Sequence, residues 1–196
     1  MENRNVGGVF YEVEVYDKDG KLIDKKKGKG NCVLYNWIRI FAVLRNPSDY
    51  NDKFQFVDTH GSSFTPDQIV ASGSSMLAPA GQDGYGLVVG SGDTPVSLND
   101  YNLDSKIPHG TGSGQLSYGD SSKYDETSDI TASHGVQRSF DNNSGGDVTV
   151  REIGLIATIN IGGQNINVLL LRDVISATTV PNGGRVTVKY WITWNP

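Results

Sequence analysis

The sequence predicts a mainly β protein, an antiparallel β-sandwich of jelly-roll-like topology with one amphipathic helix near residues 33–45. Its 196 residues include 24 glycines, together with many Ser, Asn, Asp and Thr, a composition typical of short strands joined by turns. Turn signals in the last third separate four strand-like runs, at residues 130–140, 148–161, 166–174 and 185–194. Only one segment has a helical period. Together these observations favour sheets over a helical bundle.

The N-terminal segment predicts a β-hairpin. Residues 9–16 alternate apolar and acidic positions in their later part, and a second run follows at residues 21–26. The turn between them, Asp17 to Gly20, lacks the spaced acidic ligands and final glutamate of a calcium-binding loop. We therefore interpret it as a turn and not as a metal site.

The helix is predicted from a change of period after the hairpin. Apolar residues recur at steps of three and four and should form one buried face that packs on the sheet. The helix should end near Asn46-Pro47. The predicted face consists of Val33, Leu34, Trp37, Ile38, Phe41 and Leu44.

We expect a single domain over residues 1–196 with three parts: the hairpin and helix in 1–46, a loop-rich excursion in 47–84, and the sandwich core in 85–196. Within the core, Leu87 to Gly90 is a short strand, and residues 110–129 predict a strand edge followed by a mobile loop. The loop between these two regions should be tied down by four apolar anchors, Val96, Leu98, Tyr101 and Leu103.

The last strand has the clearest alternation, with Val186, Val188 and Tyr190 on one face. Trp191 falls on the opposite, polar face, which places it either under a loop or at a subunit contact. Sheet edges at the first hairpin and the last strand are the expected points of subunit contact, because their unpaired N–H and C=O groups need partners.

Composition excludes several classes of partner. The net charge of −5 does not provide the positive field that nucleic-acid binding requires. The longest mostly apolar stretch, residues 33–44, contains Asn36 and Arg39 and is shorter than the roughly 20 residues of a membrane span. The single Cys32 and three scattered histidines predict no disulfide, metal or other cofactor. Without a secretory signal at its start, the protein is expected to be made in the cytoplasm.

Two charged residues in the predicted core, Glu152 and Arg172, predict a structural ion pair. A charge placed among strand residues such as Val150 and Leu170 needs a partner, so pairing is favoured over a role for Glu152 and Asp173 as a glycosidase pair. No Gly-x-Ser-x-Gly or Cys/His arrangement occurs in a suitable context. We therefore expect no catalytic activity.

Several motifs of the last part of the chain occur in an order that resembles a recurrent family of phage and provirus structural proteins. In that family a G-x-G strand end is followed by an E-V-G-L strand, an L-x-R-D-V strand and a V-P-x-G ending. The corresponding segments are residues 86–92 (GLVVGSG), 101–103 (YNL), 148–155 (VTVREIGL), 169–174 (LLLRDV) and 180–188 (VPNGGRVTV). The resemblance covers roughly residues 86–195 and implies a virion component, without catalytic residues to carry over.

The sequence therefore predicts a virion structural protein, a tail subunit or a capsid-surface decoration or minor capsid subunit, that works by contact with copies of itself and other virion proteins. The alternative is a carbohydrate- or receptor-binding module whose loop aromatics contact a surface glycan. A second alternative is a particle-borne glycan hydrolase. Candidate interface or ligand contacts are Trp191, Tyr85, Tyr118 and Tyr124, with Tyr50 and Phe64 as further aromatics for a glycan.

Overall fold

The computed structural model of the chain describes residues 8–30, 33–45, 55–64, 69–128, 131–161 and 163–194. Of Tyr50 and of the predicted helix end at Asn46-Pro47 nothing is described. The predicted fold class is confirmed: the chain is mainly β, with two large antiparallel sheets around a shared apolar core, a two-stranded sheet of Phe56–Val57 and Ser63–Phe64, and one short helix. The elements are β1 (Gly8–Tyr16), β2 (Leu22–Lys29), α1 (Tyr35–Arg45), β3 (Phe56–Val57), β4 (Ser63–Phe64), β5 (Ile69–Ser75), β6 (Gly86–Gly90), β7 (Ser117–Ser128), β8 (Thr131–Asp141), β9 (Val148–Ile161), β10 (Gln164–Val180) and β11 (Arg185–Trp194).

The first sheet, sheet A, has five strands in the order β2-β1-β11-β8-β7. The first and last strands of the sandwich are therefore neighbours, with Val13 opposite Val188. The prediction that the last strand is a sheet edge was wrong. Strand β11 pairs with β1 along one side and with β8 along the other, and so joins the β1–β2 hairpin to the β7–β8 hairpin. The edges are instead β2 and β7.

The second sheet, sheet B, has the order β10-β9-β5, and β6 pairs with another part of β9. The strands β9 and β10 are buried along most of their length, and the side chains of Val150, Ile153, Val168 and Leu169 are fully buried. The long excursion of residues 47–84 contributes β5 to this sheet, which its polar sequence did not indicate. The core thus extends beyond residues 85–196.

Helix α1 begins at Tyr35, two residues later than predicted, because the residues before it complete the edge of β10. Val33 forms an antiparallel bridge with Leu171, and the N–H of Leu34 donates to the carbonyl of Leu170. The predicted apolar face is also partly wrong, since Ile38 is 49% exposed while Asn36 is buried. Of the side chains of Phe41 and Leu44 nothing is described.

Asn36 explains why the helix is rotated in this way. Its Nδ2 donates to the carbonyl of Val57 at 2.9 Å and to that of Leu169 at 3.3 Å, while its Oδ1 accepts from the N–H of Val57 at 3.2 Å. A buried amide that joins three backbone groups satisfies polar atoms that would otherwise be costly to bury. The helix is therefore fixed to sheet B by hydrogen bonds as well as by apolar packing.

Residues 117–128, predicted to be a strand edge followed by a mobile loop, form the continuous strand β7. Its pairing with β8 shifts register between Tyr118 and Ser121 and then continues to Ser128. The polar composition that predicted a loop reflects the position of β7 at the edge of sheet A, where one side of the strand has no neighbour in the sheet.

Candidate functional site

The predicted ion pair between Glu152 and Arg172 is present in the structure. Arg172 Nε and Nη2 each lie 2.9 Å from Glu152 Oε2, and the side chains are 0% and 2% exposed for glutamate and arginine. A third member, Asp100, accepts from Arg172 Nη1 at 2.7 Å. Burial opposes the charge of Arg172, but the hydrogen bonds to Asp100 and Glu152 raise its pKa above the ordinary value.

Glu152 also accepts three backbone N–H bonds, from Gly92 at 3.2 Å, Asp104 at 3.0 Å and Ser105 at 2.7 Å. These amides belong to the connection between β6 and β7, so the carboxylate holds residues 91–105 against sheet B. A Cβ on Gly92 would lie 2.7 Å from Glu152 Oε1, and one on Gly90 would also overlap this carboxylate. The G-x-G segment thus makes room for the buried glutamate.

The network of Glu152, Arg172 and Asp100 is structural in character, because its side chains bond to one another and to backbone groups of the protein. Glu152 has no exposed surface from which to reach a substrate, and its two oxygens accept from four groups of the protein itself. Asp173, the other carboxylate considered for a glycosidase pair, accepts from the hydroxyl of Tyr190 at 2.7 Å in the core. Both carboxylates are part of the scaffold.

A second buried cation, Arg138 on β8, gave no signal in the sequence because its partners are backbone atoms far apart in the chain. It donates to five carbonyl oxygens, those of Pro79, Gln82, Tyr85, Leu87 and Gly119, at 2.6 to 3.3 Å. Burial lowers its pKa. Arg138 therefore ties residues 79–87 to sheet A, as Glu152 ties residues 91–105 to sheet B.

The predicted aromatic contacts are separated by the fold. Tyr118 is 2% exposed, its hydroxyl donates to the carbonyl of Ile107 at 2.6 Å, and its ring lies edge-on to Phe140. It is a core residue, and its prediction as a surface contact was wrong, because alternation along β7 turns it inward. Burial raises its pKa. Tyr85 and Phe64 are half-buried against the same core.

Trp191 is only 8% exposed, although it lies on the outer face of sheet A. Side chains of neighbouring strands cover it, and not the predicted loop, while the predicted subunit contact stays a prediction. Phe10 stacks on its ring at 5.9 Å, Tyr124 meets it edge-on at 5.7 Å, and Lys27 lies 5.1 Å above it. Gly135 opposite Trp191 leaves space for the indole, because a Cβ there would lie 2.6 Å from Trp191 Cβ.

The exposed apolar surface is concentrated elsewhere. Of the six large hydrophobic side chains that are exposed among the described residues, four belong to α1 and to residues 91–105: Tyr35, Ile38, Leu98 and Tyr101. We refer to these four side chains as the contact face. The N–H of Tyr35 donates to the carbonyl of Leu98 at 3.3 Å, which joins the two segments, and Ile38 lies one helical turn from Tyr35.

The contact face borders two clefts. One, of about 210 Å³, lies between Tyr35, Arg39, Leu98 and Tyr101. The other, of about 500 Å³, lies on the far side of Tyr101 and includes His60, Asp104 and Arg172 in its lining. The ring of Tyr101 rests on Gly61, whose Cβ would lie 3.5 Å from it. Of the four predicted anchors of the loop, Leu103 is buried in the core and Val96 packs against it, whereas Leu98 and Tyr101 are 46% and 45% exposed. The hydrogen bonds of Glu152 also anchor this loop.

In the described part of the chain no helix is long and apolar enough to span a bilayer, and no group of three His, Cys, Asp or Glu residues could hold a metal ion. No protein-family model, curated protein or solved structure matches this chain.

Proposed function

We propose that this protein is a structural subunit of a virus particle, on the tail or the capsid surface, that works by protein–protein contact. The observation that carries the proposal is the contact face: four large exposed hydrophobic side chains gathered on two adjoining segments. Isolated exposed hydrophobic residues are normal, whereas a cluster of them marks a surface that becomes covered. The order of sequence motifs that resembles phage structural proteins supports placing that surface in a virion.

The composition of the contact face suits a protein partner. Two tyrosines and the neighbouring Arg39 belong to the residue types that dominate the energetics of protein interfaces, because each supplies a large contact area at a small cost in side-chain entropy. Arg39 lies 5.7 Å from the ring of Tyr35 and is held by Asn36 Oδ1 at 3.1 Å. The rim of the face is therefore ordered before a partner binds.

The buried polar network gives this surface its rigidity. Residues 91–105 carry half of the contact face, and they are fixed by hydrogen bonds to Glu152 and Arg172 as well as by the packing of Val96 and Leu103. A preorganised surface loses little conformational entropy on binding, which favours permanent assembly. This arrangement serves binding to a partner and not a chemical reaction.

The experiment is to purify particles on a density gradient from cells that carry the gene, and to identify their proteins by mass spectrometry. The proposal predicts a fixed number of copies of this chain in the particle fraction. Particles that form normally and contain none of the chain would refute the proposal.

A glycan-binding module is the second candidate, favoured by one observation. The rings of Tyr35 and Tyr101 flank a cleft whose lining also includes the polar side chains of Asn99, Asp100 and Arg39. Aromatic rings beside amide and carboxylate groups suit the apolar faces and hydroxyls of a sugar. Glycan-array binding by the native protein that disappears in Tyr101→Ala would favour this function, and an absence of binding by the native protein would exclude it for the glycans tested.

A further inference from the structure

The outer half of β7 is an open sheet edge. The N–H of Ser121 donates to the carbonyl of Ala78 at 2.8 Å, on the side away from β8. Backbone groups alternate in direction along a strand, so those of Lys123, Asp125 and Thr127 also point away from β8. The N–H of Gly135 faces β7, since it lies 3.4 Å from Asp125 Oδ1, which agrees with this alternation. No described residue pairs with this part of the edge.

Three other edges of the described sheets, those of β10, β6 and β2, are covered or protected. Residues 33 and 34 pair with β10, and residues 105–107 cover β6 through a bond from Ile107 N–H to the carbonyl of Val89. Strand β2 has a row of three exposed lysines at alternate positions on the outer face of sheet A, Lys25, Lys27 and Lys29. Lysines on an edge strand are a recognised protection against pairing with another sheet.

We propose that two copies of this chain pair antiparallel through residues 122–126 of β7, the part of the edge beyond the bond of Ser121 to Ala78, which joins their two five-stranded sheets into one. The partner is a second copy of the chain. The proposal therefore rests on the proposed assembly role and specifies one of its contacts. The pairing uses a surface distinct from the contact face, which stays free for another protein of the particle.

Charge complementarity fixes the register. In an antiparallel pair of strands, the side chains of directly opposite residues point to the same face of the sheet. A two-fold axis between two identical strands must therefore lie between one residue and the same residue of the other copy. An axis at Tyr124 places Lys123 opposite Asp125 of the partner subunit, and the same contact recurs on the other side of the axis. Lys123 and Asp125 are both exposed, and both have outward backbone groups, so their backbones exchange hydrogen bonds while their side chains attract.

The same operation on β2 gives the opposite result. An axis at Lys26 or Lys27 sets the exposed lysines of one copy beside those of the other, so like charges face each other. Of the two open edges of sheet A, β7 is thus the one whose side chains favour a copy of themselves.

The axis at Tyr124 also brings aromatic surface together. Tyr124 is then opposite Tyr124 of the partner subunit at a position without backbone hydrogen bonds, where side chains approach most closely. Its ring is already held edge-on to Trp191 at 5.7 Å, with Lys189 at 5.5 Å on it. The aromatic cluster of Trp191, Tyr124 and Phe10 would therefore continue from one copy into the next.

The test measures the mass of the purified full chain by light scattering over a concentration series. The native chain should approach twice the 21.2 kDa of one copy. Lys123→Asp and Asp125→Lys should each weaken association at least roughly tenfold, since each places like charges opposite each other. The combined variant K123D/D125K restores opposite charges and should restore the dimer.

His134→Ala is the matched control, because it removes the contact of His134 Nδ1 with Asp125 within one copy and leaves the edge charges in place. It should still dimerise. A native chain that stays monomeric, or a dimer that single charge reversals do not weaken, would overturn the pairing. Neither result bears on whether the chain is present in particles. Particles without the chain would in turn not contradict a measured dimer, so the two proposals can fail separately.

Discussion

Replacement of Glu152 by Gln changes the network that fixes the contact face with almost no change in volume. The native carboxylate accepts from Arg172 and from the amides of Gly92, Asp104 and Ser105. A glutamine turns one of these acceptor positions into a donor, so at least one N–H group faces another donor. Arg172 keeps Asp100 but loses its fully buried partner.

The expected cost follows from the burial of the pair. Removal of one partner from a buried ion pair costs about 3 to 5 kcal/mol, because the other charge stays buried. Asp100 compensates the charge of Arg172 only in part, since its side chain is 21% exposed. For a domain of this size, each kcal/mol lowers Tm by roughly 2 to 4 °C. The variant should therefore unfold at a temperature lower by about 6 to 20 °C.

Calorimetry and urea unfolding of E152Q measure this cost, with Asp141→Asn as the matched control. Asp141 pairs with Arg185 on the surface, where the side chains are 38% and 55% exposed, so its removal should cost less than about 1 kcal/mol. Hydrogen exchange should also speed up at Asp104 and Ser105 in E152Q, since their N–H groups lose an anionic acceptor. If E152Q is no less stable than D141N, the reasoning on the network is refuted.

Three further predictions concern the rest of the scaffold. Arg138→Lys should lose about 3 kcal/mol in urea unfolding, because an ammonium with three donors cannot satisfy five carbonyls, and a native-like midpoint would contradict this. A hydrogen bond from Lys25 lowers the pKa of Glu14 although burial raises it, so Glu14 stabilises the fold at neutral pH and this stability is lost as the pH falls below about 4. Glu14→Gln should flatten the fall in urea midpoint between pH 6 and pH 3, and an unchanged slope would count against the assignment. Gly135→Ala should cost about 1 to 3 kcal/mol through overlap with Trp191, whereas Gly146→Ala, with nothing within 4 Å, should be close to neutral in the same thermal melt.

Much of the fold could be predicted because its strands have strong periodic patterns. The run at residues 148–161 coincides with β9, and the run at 185–194 coincides with β11. The pair of Glu152 and Arg172 could be predicted because each charge stands among apolar strand residues, where it needs a partner. Periodicity within a segment is local information, and these features depend on little else.

The errors arise where the outcome depends on contacts between distant segments. The position of β11 inside sheet A depends on its pairing with β1, which lies more than 150 residues earlier in the chain. The five acceptors of Arg138 are backbone carbonyls, which no side-chain pattern reveals. Leu98 and Tyr101 are exposed in a loop that Glu152 holds together with Val96 and Leu103, and the sequence did not distinguish these two pairs of apolar residues. Edge strands such as β7 also escape prediction, because a polar edge and a polar loop have similar compositions.

The central claim is that the contact face carries assembly, and two isoleucines test it most directly. Ile38, in the contact face, is 49% exposed, and Ile23, on β2, is 50% exposed, so Ile38→Ala and Ile23→Ala remove the same group from equally exposed sites. The measurement is the number of copies of each variant per purified particle at limiting expression. Loss of the Ile38 contact should weaken binding by about 1 kcal/mol, roughly fivefold in Kd, and lower its copy number, while I23A keeps the native value. Equal copy numbers for the two variants would contradict the account.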